Sequence, residues 1–176
     1  MVACGSKSEG KDGETTTESG FTAKSEYYSK FDFSKEATLE GTMVMGQSME
    51  DVKKNHTKDE MTDEDEDYLS FERKLGASED EEASYFYSFD SETKKLDYAT
   101  IDIYPSSNAT EEELYNDLIT SFENKYGKAS NDSNGKGYSG KQWSATVGGH
   151  QTSITVEHDT QEDYGWITVT FSSEEY

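Results

Sequence analysis

LDYATIDIYP, residues 96–105, is the stretch of sequence that decides the fold class. Ala99, Ile101 and Ile103 alternate in it with polar and aromatic residues, so the apolar side chains share one face of a β-strand. Pro105, the only proline of the chain, ends this strand because proline has no N–H to give to a sheet. We therefore expect a strand over 96–104 with one apolar face and one polar face.

Two earlier segments show the same alternation. Residues 68–75 and 83–89 are predicted strands, and residues 90–94 form the turn that leads into the strand at 96–104. The acidic segments 58–67 and 78–82 are expected to be solvated loops, because like charges at such spacing repel one another. Three successive strands with short connections predict an antiparallel meander.

The clearest helix pattern follows Pro105. Thr110 is the predicted N-cap, Glu113 completes a capping box with it, and Glu111 favours the helix dipole. Gly127 is well placed to end the helix. Apolar and aromatic residues recur at helical spacing: Leu114, Tyr115, Leu118, Ile119, Phe122 and Tyr126. This face of the helix is expected to pack against the sheet.

The order of elements repeats along the chain. A shorter helix is predicted over 48–55, with Ser48 as its N-cap. A loop over 130–140 precedes three more strands, two of which are joined by a tight turn at Gly148-Gly149. Their inward residues are Trp143, Ala145, Val147, Thr152, Ile154, Val156, Ile167, Val169 and Phe171. We predict an α+β fold, with an antiparallel sheet of about six strands and two helices on one face, in two αβββ units at 46–104 and 110–172.

The charge of the chain limits its partners. Its 38 acidic residues against 16 basic ones give a formal net charge of −22, so nucleic acid and anionic membrane surfaces are unsuitable partners. No apolar run reaches the roughly 18 residues that a spanning helix needs. The single cysteine excludes an intrachain disulfide.

That cysteine lies in the N-terminal sequence Met1-Val2-Ala3-Cys4-Gly5. Residues 5–20 are polar and are predicted to be a disordered linker. Small residues before a cysteine and a polar tether after it resemble the lipobox of bacterial lipoproteins. The resemblance implies a diacylglyceryl group on Cys4, export, and anchoring to the cell membrane; we expect the sequence to begin inside the signal peptide, with Met1 in place of a leucine. The alternative is a free thiol in a disordered tail.

These features divide the chain into residues 1–4, a lipobox remnant, the linker at 5–20, and a single α+β domain at 21–176. Residues 21–33 contain five aromatic rings without a clean period and are expected to be irregular or edge structure. The sequence does not indicate which envelope surface carries the anchored domain or whether the domain forms oligomers.

Several short motifs resemble small secreted αβ proteins of the β-lactamase inhibitor protein and SmpA/OmlA lipoprotein group, and uncharacterised bacterial surface lipoproteins. They are the helix start at 46–52, the strand Tyr85-Phe86-Tyr87, the helix end at 125–128, Trp143 and the final hairpin. The resemblance implies a sheet covered by helices, and a binding or assembly role without enzymatic activity.

Motifs for catalysis or metal binding do not appear. An EF-hand starting at Asp63 would have Tyr68 and Lys74 where glycine and glutamate belong, and a loop starting at Asp132 would end on Trp143. The three histidines have no metal-binding spacing and are expected at the surface or in turns. There is no nucleophile elbow and no phosphate loop, so we assign no catalytic residue, metal or cofactor.

The polar face of the sheet is the candidate ligand surface. Tyr98, Tyr104 and Trp166 should project from it, and half-exposed rings suit recognition of a protein, peptide or glycan. The alternative is ordinary cross-strand pairing. The leading hypothesis is a non-enzymatic, lipid-anchored binding or assembly module. The other hypotheses are an inhibitor that uses the loop at 59–67 or at 130–140, and a hydrolase with an unrecognised carboxylate site.

Overall fold

The computed structural model of the protein describes residues 45–75, 82–105, 108–160 and 165–174. The predicted anchor at Cys4, the linker at 5–20 and the ring-rich segment at 21–33 lie outside the described residues. The acidic segment at 78–82 is described only at Glu82.

Within the described ranges the chain is an α+β fold in which one helix followed by four strands occurs twice. The elements are α1 Met49–Lys53, β1 Met61–Glu64, β2 Tyr68–Lys74, β3 Glu82–Phe89, β4 Leu96–Tyr104, α2 Asn108–Tyr126, β5 Asn131–Gly135, β6 Tyr138–Val147, β7 His150–Thr160 and β8 Gly165–Ser173. Neither described helix combines the length and the apolar character that crossing a membrane requires.

All described strands belong to one antiparallel sheet with the order β1-β2-β3-β4-β8-β7-β6-β5. Each group of four strands is a meander, and the last strands of the two groups pair with each other, with Ile101 opposite Val169. The two meanders therefore meet at the centre of the sheet, and β1 and β5 form its edges.

The sheet has eight described strands, where the sequence predicts about six. The two additional strands lie in segments that are expected to be loops. β1 pairs with β2 in the acidic segment at 58–67, and β5 pairs with β6 in the segment at 130–140. Both are edge strands with mostly exposed polar residues. Because neither face of these strands is buried along most of its length, their sequences show no alternation of apolar and polar residues. The two loops of the inhibitor hypothesis are thus edge strands for part of their length.

One face of the sheet carries the core, and both helices cover that face. Phe122 of α2 contacts Trp143 and Phe171, with ring centroids 5.5 and 6.1 Å apart. Val52 of α1 is fully buried in the same cluster. The strand residues that we expect to point inward are confirmed: Leu69, Phe71, Tyr85, Tyr87, Ala99, Ile101, Ile103, Trp143, Val147, Ile154, Val156, Ile167, Val169 and Phe171 are buried.

The helix ends agree with the sequence in part. Ser48 caps α1 by accepting a hydrogen bond from the Asp51 N–H, as predicted, but the helix stops at Lys53, before Asn55. α2 begins at Asn108, so the prediction that Thr110 is the N-cap is wrong. The helix starts two residues before Thr110, so its first backbone N–H groups lie ahead of the predicted capping box. Gly127 follows α2 with φ +82°, the conformation that favours glycine after a helix.

Candidate functional site

The face of the sheet opposite the helices, here called the outer face, is the candidate functional surface. It carries half-buried polar side chains in rows across the strands. In one row, Thr100 lies opposite Thr170, which lies opposite Thr155. The hydroxyl oxygens of Thr100 and Thr170 are 3.3 Å apart. A hydroxyl-bearing surface that no described helix covers leaves large rings accessible where they occur.

Tyr98, Tyr104 and Trp166 lie on the outer face, as the alternation predicts, because each adjoins a buried residue on its strand. They do not form one cluster. Tyr98 and Tyr104 are six positions apart on β4, which separates them by about 20 Å. Ile103 pairs with Ile167, so Tyr104 and Trp166 lie near each other on adjacent strands, away from Tyr98. A single site made of all three residues does not fit this geometry.

Tyr98 belongs instead to a row of three rings across β2, β3 and β4, which we call the aromatic row: Tyr68, Phe86 and Tyr98. The ring centroids of Tyr68 and Phe86 are 5.9 Å apart, and those of Phe86 and Tyr98 are 6.4 Å apart. Phe86 is 38% exposed and is the only large apolar side chain classed as exposed among the described residues. The sequence analysis missed Tyr68 and Phe86. The available signal was a phenylalanine at the outward position of Tyr85-Phe86-Tyr87.

Carboxylates lie at one end of the aromatic row. The Tyr68 hydroxyl donates a hydrogen bond to Asp63 Oδ2 at 2.8 Å. This bond raises the pKa of Tyr68, and the nearby charges of Asp65 and Asp67 raise it further. The row therefore combines apolar ring surface with negative potential, an arrangement that attracts cationic groups.

His56 lies in the turn that follows α1, as expected for a surface or turn histidine, but its side chain is buried against the core. Its ring stacks on Phe71 at a centroid distance of 3.9 Å and meets Tyr85 edge-on at 4.8 Å. Its Nε2 lies 2.9 Å from the Tyr87 hydroxyl. Burial lowers the pKa of His56 to about 4, and the positive charge of Arg73 adds to the effect. A neutral ring therefore occupies this place at neutral pH.

Glu60 and Arg73 form a charged pair beside His56. Glu60 accepts hydrogen bonds from Arg73 Nε at 2.8 Å, from Arg73 Nη2 at 3.2 Å and from the Thr57 N–H at 2.9 Å. Burial alone would raise the pKa of Glu60, but these hydrogen bonds outweigh it and the pKa is lowered. The Arg73 guanidinium also lies 5.5 Å from the Tyr85 ring centroid. His56 Nδ1 lies 3.6 Å from Glu60 Oε2 and makes no hydrogen bond among the described residues. Only 3% of the His56 side chain is exposed, so a substrate has no access to that ring.

His158 and Glu111 form a second buried pair. His158 Nε2 lies 3.3 Å from Glu111 Oε2, and Glu111 is 1% exposed. Gly165 provides the space, because a Cβ atom there would lie 2.4 Å from the same carboxylate oxygen. His158 is therefore not a surface histidine, and Glu111 points into the fold and not into the solvent around the helix N-terminus. In the sequence, the burial of His158 was indicated only by its alternation with the inward residues of β7.

Neither a metal cluster nor a known relative identifies an activity. Within the described ranges, no three His, Cys, Asp or Glu side chains converge as metal ligands would. Comparisons with protein-family models, with curated proteins and with solved structures find no match to this chain. The outer face and its aromatic row are thus the features from which a function can be inferred.

Proposed function

We propose that the protein is a non-enzymatic binding or assembly module, held outside the cytoplasm by a lipid on Cys4, which binds a protein partner through the aromatic row. The observation that carries the proposal is the exposure of Phe86 between Tyr68 and Tyr98 on a sheet face that neither described helix covers. Exposed rings on a flat surface are enriched where proteins bind one another, because they bury a large area with little loss of side-chain freedom.

The charge around the row indicates what the partner presents. Asp63, Asp65 and Asp67 lie at the Tyr68 end, and the chain as a whole carries a net charge of −22. A partner surface with lysine or arginine residues around an apolar centre would be attracted to this end and would place its apolar groups on Phe86. The three rings span two strand spacings, about 10 Å, which suits contact with one helix or strand of a partner.

Site-specific crosslinking in the native envelope tests the proposal. A photo-crosslinking residue at position 86 should capture a discrete partner, while the same residue at position 146, at the exposed end of β6, should not. Binding of the purified partner should then weaken about 10- to 100-fold in the double variant Phe86→Ser, Tyr98→Ala, as for central interface residues.

The double variant Tyr104→Ala, Trp166→Ala is the matched control, because it removes two rings from the distant part of the outer face. The proposal is wrong if both double variants bind the partner as the wild type does. If only the control variant binds weakly, the binding surface lies at Tyr104 and Trp166.

The lipid anchor has its own test. Since the negative surface of the domain is repelled by anionic lipids, attachment should depend on the acyl chains at Cys4. Cys4→Ser, expressed with its full export signal, should release the domain from the membrane fraction, and mass spectrometry should find the acyl groups only on the wild type. A Cys4→Ser protein that stays with the membrane would refute lipid anchoring.

The order of the elements supports the further proposal that the two halves are related units. Each predicted αβββ unit is extended by one edge strand, β1 or β5, so that each half contains one helix and four strands. The antiparallel pair of β4 and β8 lies between the halves. This arrangement would place the aromatic row on the first unit.

A further inference from the structure

A second feature of the outer face lies on the other half of the sheet, over β5, β6 and β7. It is a concave surface of about 220 Å³, which we call the Gly140 groove. Its lining includes Ser133, Tyr138, Gly140, Gln142, Thr155 and Glu157. Between Phe86 on β3 and Gln142 on β6 there are four strand spacings, about 19 Å, so the groove is separate from the aromatic row.

Gly140 lies beneath the Tyr138 side chain at the floor of the groove. In the register of the sheet it lies between Ser133 on β5 and Glu157 on β7. The Tyr138 side chain leans over the glycine and donates a hydrogen bond to Glu157 Oε1 at 2.5 Å. A Cβ atom at Gly140 would lie 2.9 Å from the Tyr138 hydroxyl and 3.4 Å from Glu157 Cγ. Only glycine lets the tyrosine lie across the floor of the groove and reach the carboxylate.

The groups around this floor are both donors and acceptors of hydrogen bonds. Glu157 uses Oε1 for Tyr138, and Gln142 donates through Nε2 to the Ser153 hydroxyl at 2.9 Å. Each of these two side chains has a second polar atom, Glu157 Oε2 and Gln142 Oε1, that can accept a hydrogen bond. The Thr155 hydroxyl lies in the row next to Gln142, because the two residues pair across the strands. The lining thus offers a carboxylate, the amides of Asn131 and Gln142, hydroxyls and one aromatic ring, and it includes the cationic residue Lys141.

The chemistry of this lining selects among ligands. The one cation of the lining, Lys141, is paired with Glu123 at 2.9 Å, so an anion would meet the Glu157 carboxylate and the negative charge of the whole chain. An apolar ligand would leave the amides and the carboxylate unsatisfied. A sugar hydroxyl is both donor and acceptor, so several hydroxyls on one ring can match these groups together. The volume is below the range of about 300–1,000 Å³ typical of sites for drug-sized ligands. That size suits a single sugar ring.

We propose that the Gly140 groove binds one neutral pyranose unit of a glycan, with Glu157 and Gln142 accepting hydrogen bonds from its hydroxyls and Tyr138 contacting its C–H face. The site does not depend on the partner proposed for the aromatic row. It gives the anchored domain a second binding activity on the same face of the sheet.

Titration of the full chain with methyl glycosides of neutral hexoses and N-acetylhexosamines, followed by amide NMR, tests the site. At least one of them should produce saturable shifts at Gly140, Gln142 and Thr155, with a Kd of about 1 mM, as expected for a few hydrogen bonds to a small ligand. Methyl glucuronide, which carries a carboxylate, should bind more weakly. Absence of saturable shifts at these amides with every neutral glycoside would overturn the proposal.

Variants separate this site from the rest of the surface. Gln142→Ala should weaken binding of the glycoside about tenfold, since it removes the amide contacts, and Glu157→Gln provides a second test that keeps the side-chain shape. Thr146→Ala, on the same strand and face but outside the lining, is the control and should not change the Kd. Equal weakening in the control and in Gln142→Ala would refute the assignment.

The double variant Phe86→Ser, Tyr98→Ala should titrate with the glycoside as the wild type does. Failure of the groove therefore leaves the proposed protein partner untouched, and failure of the aromatic row leaves the groove untouched.

Discussion

The titratable ring of His56 lies among aromatic side chains of the core. Stacked on Phe71 and bounded by Tyr85 and Tyr87, the imidazole packs as a small aromatic side chain while its Nε2 meets the Tyr87 hydroxyl. A charged imidazolium at this position would lose hydration and would face the Arg73 guanidinium. Protonation is therefore opposed in the folded state and free in the unfolded one.

Acid should consequently destabilise the protein through this residue. The unfolded-state pKa of histidine is about 6.5 and the folded-state pKa of His56 is about 4. As the pH falls through this window the unfolded chain binds a proton that the folded chain does not, so about 3 kcal/mol of the folding free energy is lost. Above the window the contribution is complete.

His56→Phe keeps the stacking and removes the titration, so it is the matched control. Urea denaturation of both proteins at neutral pH and at about pH 4 should show the wild type losing more stability than the variant. Other acid-sensitive groups, Glu60 among them, occur in both proteins and largely cancel. A difference between the two proteins that does not change with pH would contradict the assignment.

The sequence predicts the role of a single residue when that role depends on groups only a few positions away along the chain. Ser48, Gly127 and the Gly148-Gly149 turn act through backbone groups a few positions away, and their roles are confirmed. Glu111 and His158 lie 47 positions apart. The alternation along β7 places His158 on the inner face, but its pairing with Glu111 depends on the packing of α2 over β7, so the expectation of a surface or turn position is wrong for His158.

At the scale of elements, one residue of β6 contacts the C-terminal end of α2 both by a hydrogen bond and by packing. Trp143 of β6 donates from Nε1 to the Gly127 carbonyl at 2.8 Å, and its ring packs on Phe122. The bond satisfies a carbonyl just beyond the helix, where no further helical N–H is available. Packing and hydrogen bonding thus fix the same end of the helix.

These two contributions can be measured separately by substitution. Trp143→Phe should keep most of the ring contact and lose the hydrogen bond, at a cost of about 1 kcal/mol. Trp143→Ala should also leave a cavity and cost about 3–5 kcal/mol. Urea denaturation with near-UV circular dichroism would give both free energies of unfolding. If the two substitutions cost the same, the hydrogen bond and not the packing holds the helix end.

The strands divide into two groups: those whose sequence alternates between apolar and polar residues, and those whose sequence does not. The six inner strands bury one face each, so their alternation predicts them, and the bounds of β4 are those expected. β1 and β5 are exposed along most of their length and are held by backbone hydrogen bonds to one neighbour. Pairing of the backbone requires no particular side chains. The acidic segment that contains β1 and the Asn-Ser-Gly segment that contains β5 therefore lack the alternation that predicts a strand.

For the whole molecule, the sequence predicts the two groups of strands but not how they join. The pairing of β4 with β8 brings the last strands of the two meanders together and sets the distances on the outer face. Tyr98 and Tyr104 share a face as expected, yet their separation along β4 follows from strand geometry and divides the predicted site. The aromatic row becomes visible only when the register of three strands is known.

The charge of the whole molecule opposes its folding. A net charge of −22 is confined in the folded state and spreads over a larger volume when the chain unfolds. Ion pairs act in the opposite direction, but pairs such as Lys53–Glu64 and Lys54–Asp51, which involve at least one well-exposed partner, contribute little each. Self-repulsion should therefore exceed the attraction within pairs.

Salt should then stabilise this protein. The Debye length falls from about 30 Å at 0.01 M to about 3 Å at 1 M, so added sodium chloride screens the repulsion between distant carboxylates. We expect the thermal midpoint to rise by several degrees over this range. Asp65→Asn combined with Glu66→Gln, both at exposed positions near β1, should raise the midpoint at low salt and reduce its salt dependence. A midpoint that falls with sodium chloride would mean that ion pairs such as Arg73–Glu60 outweigh the repulsion.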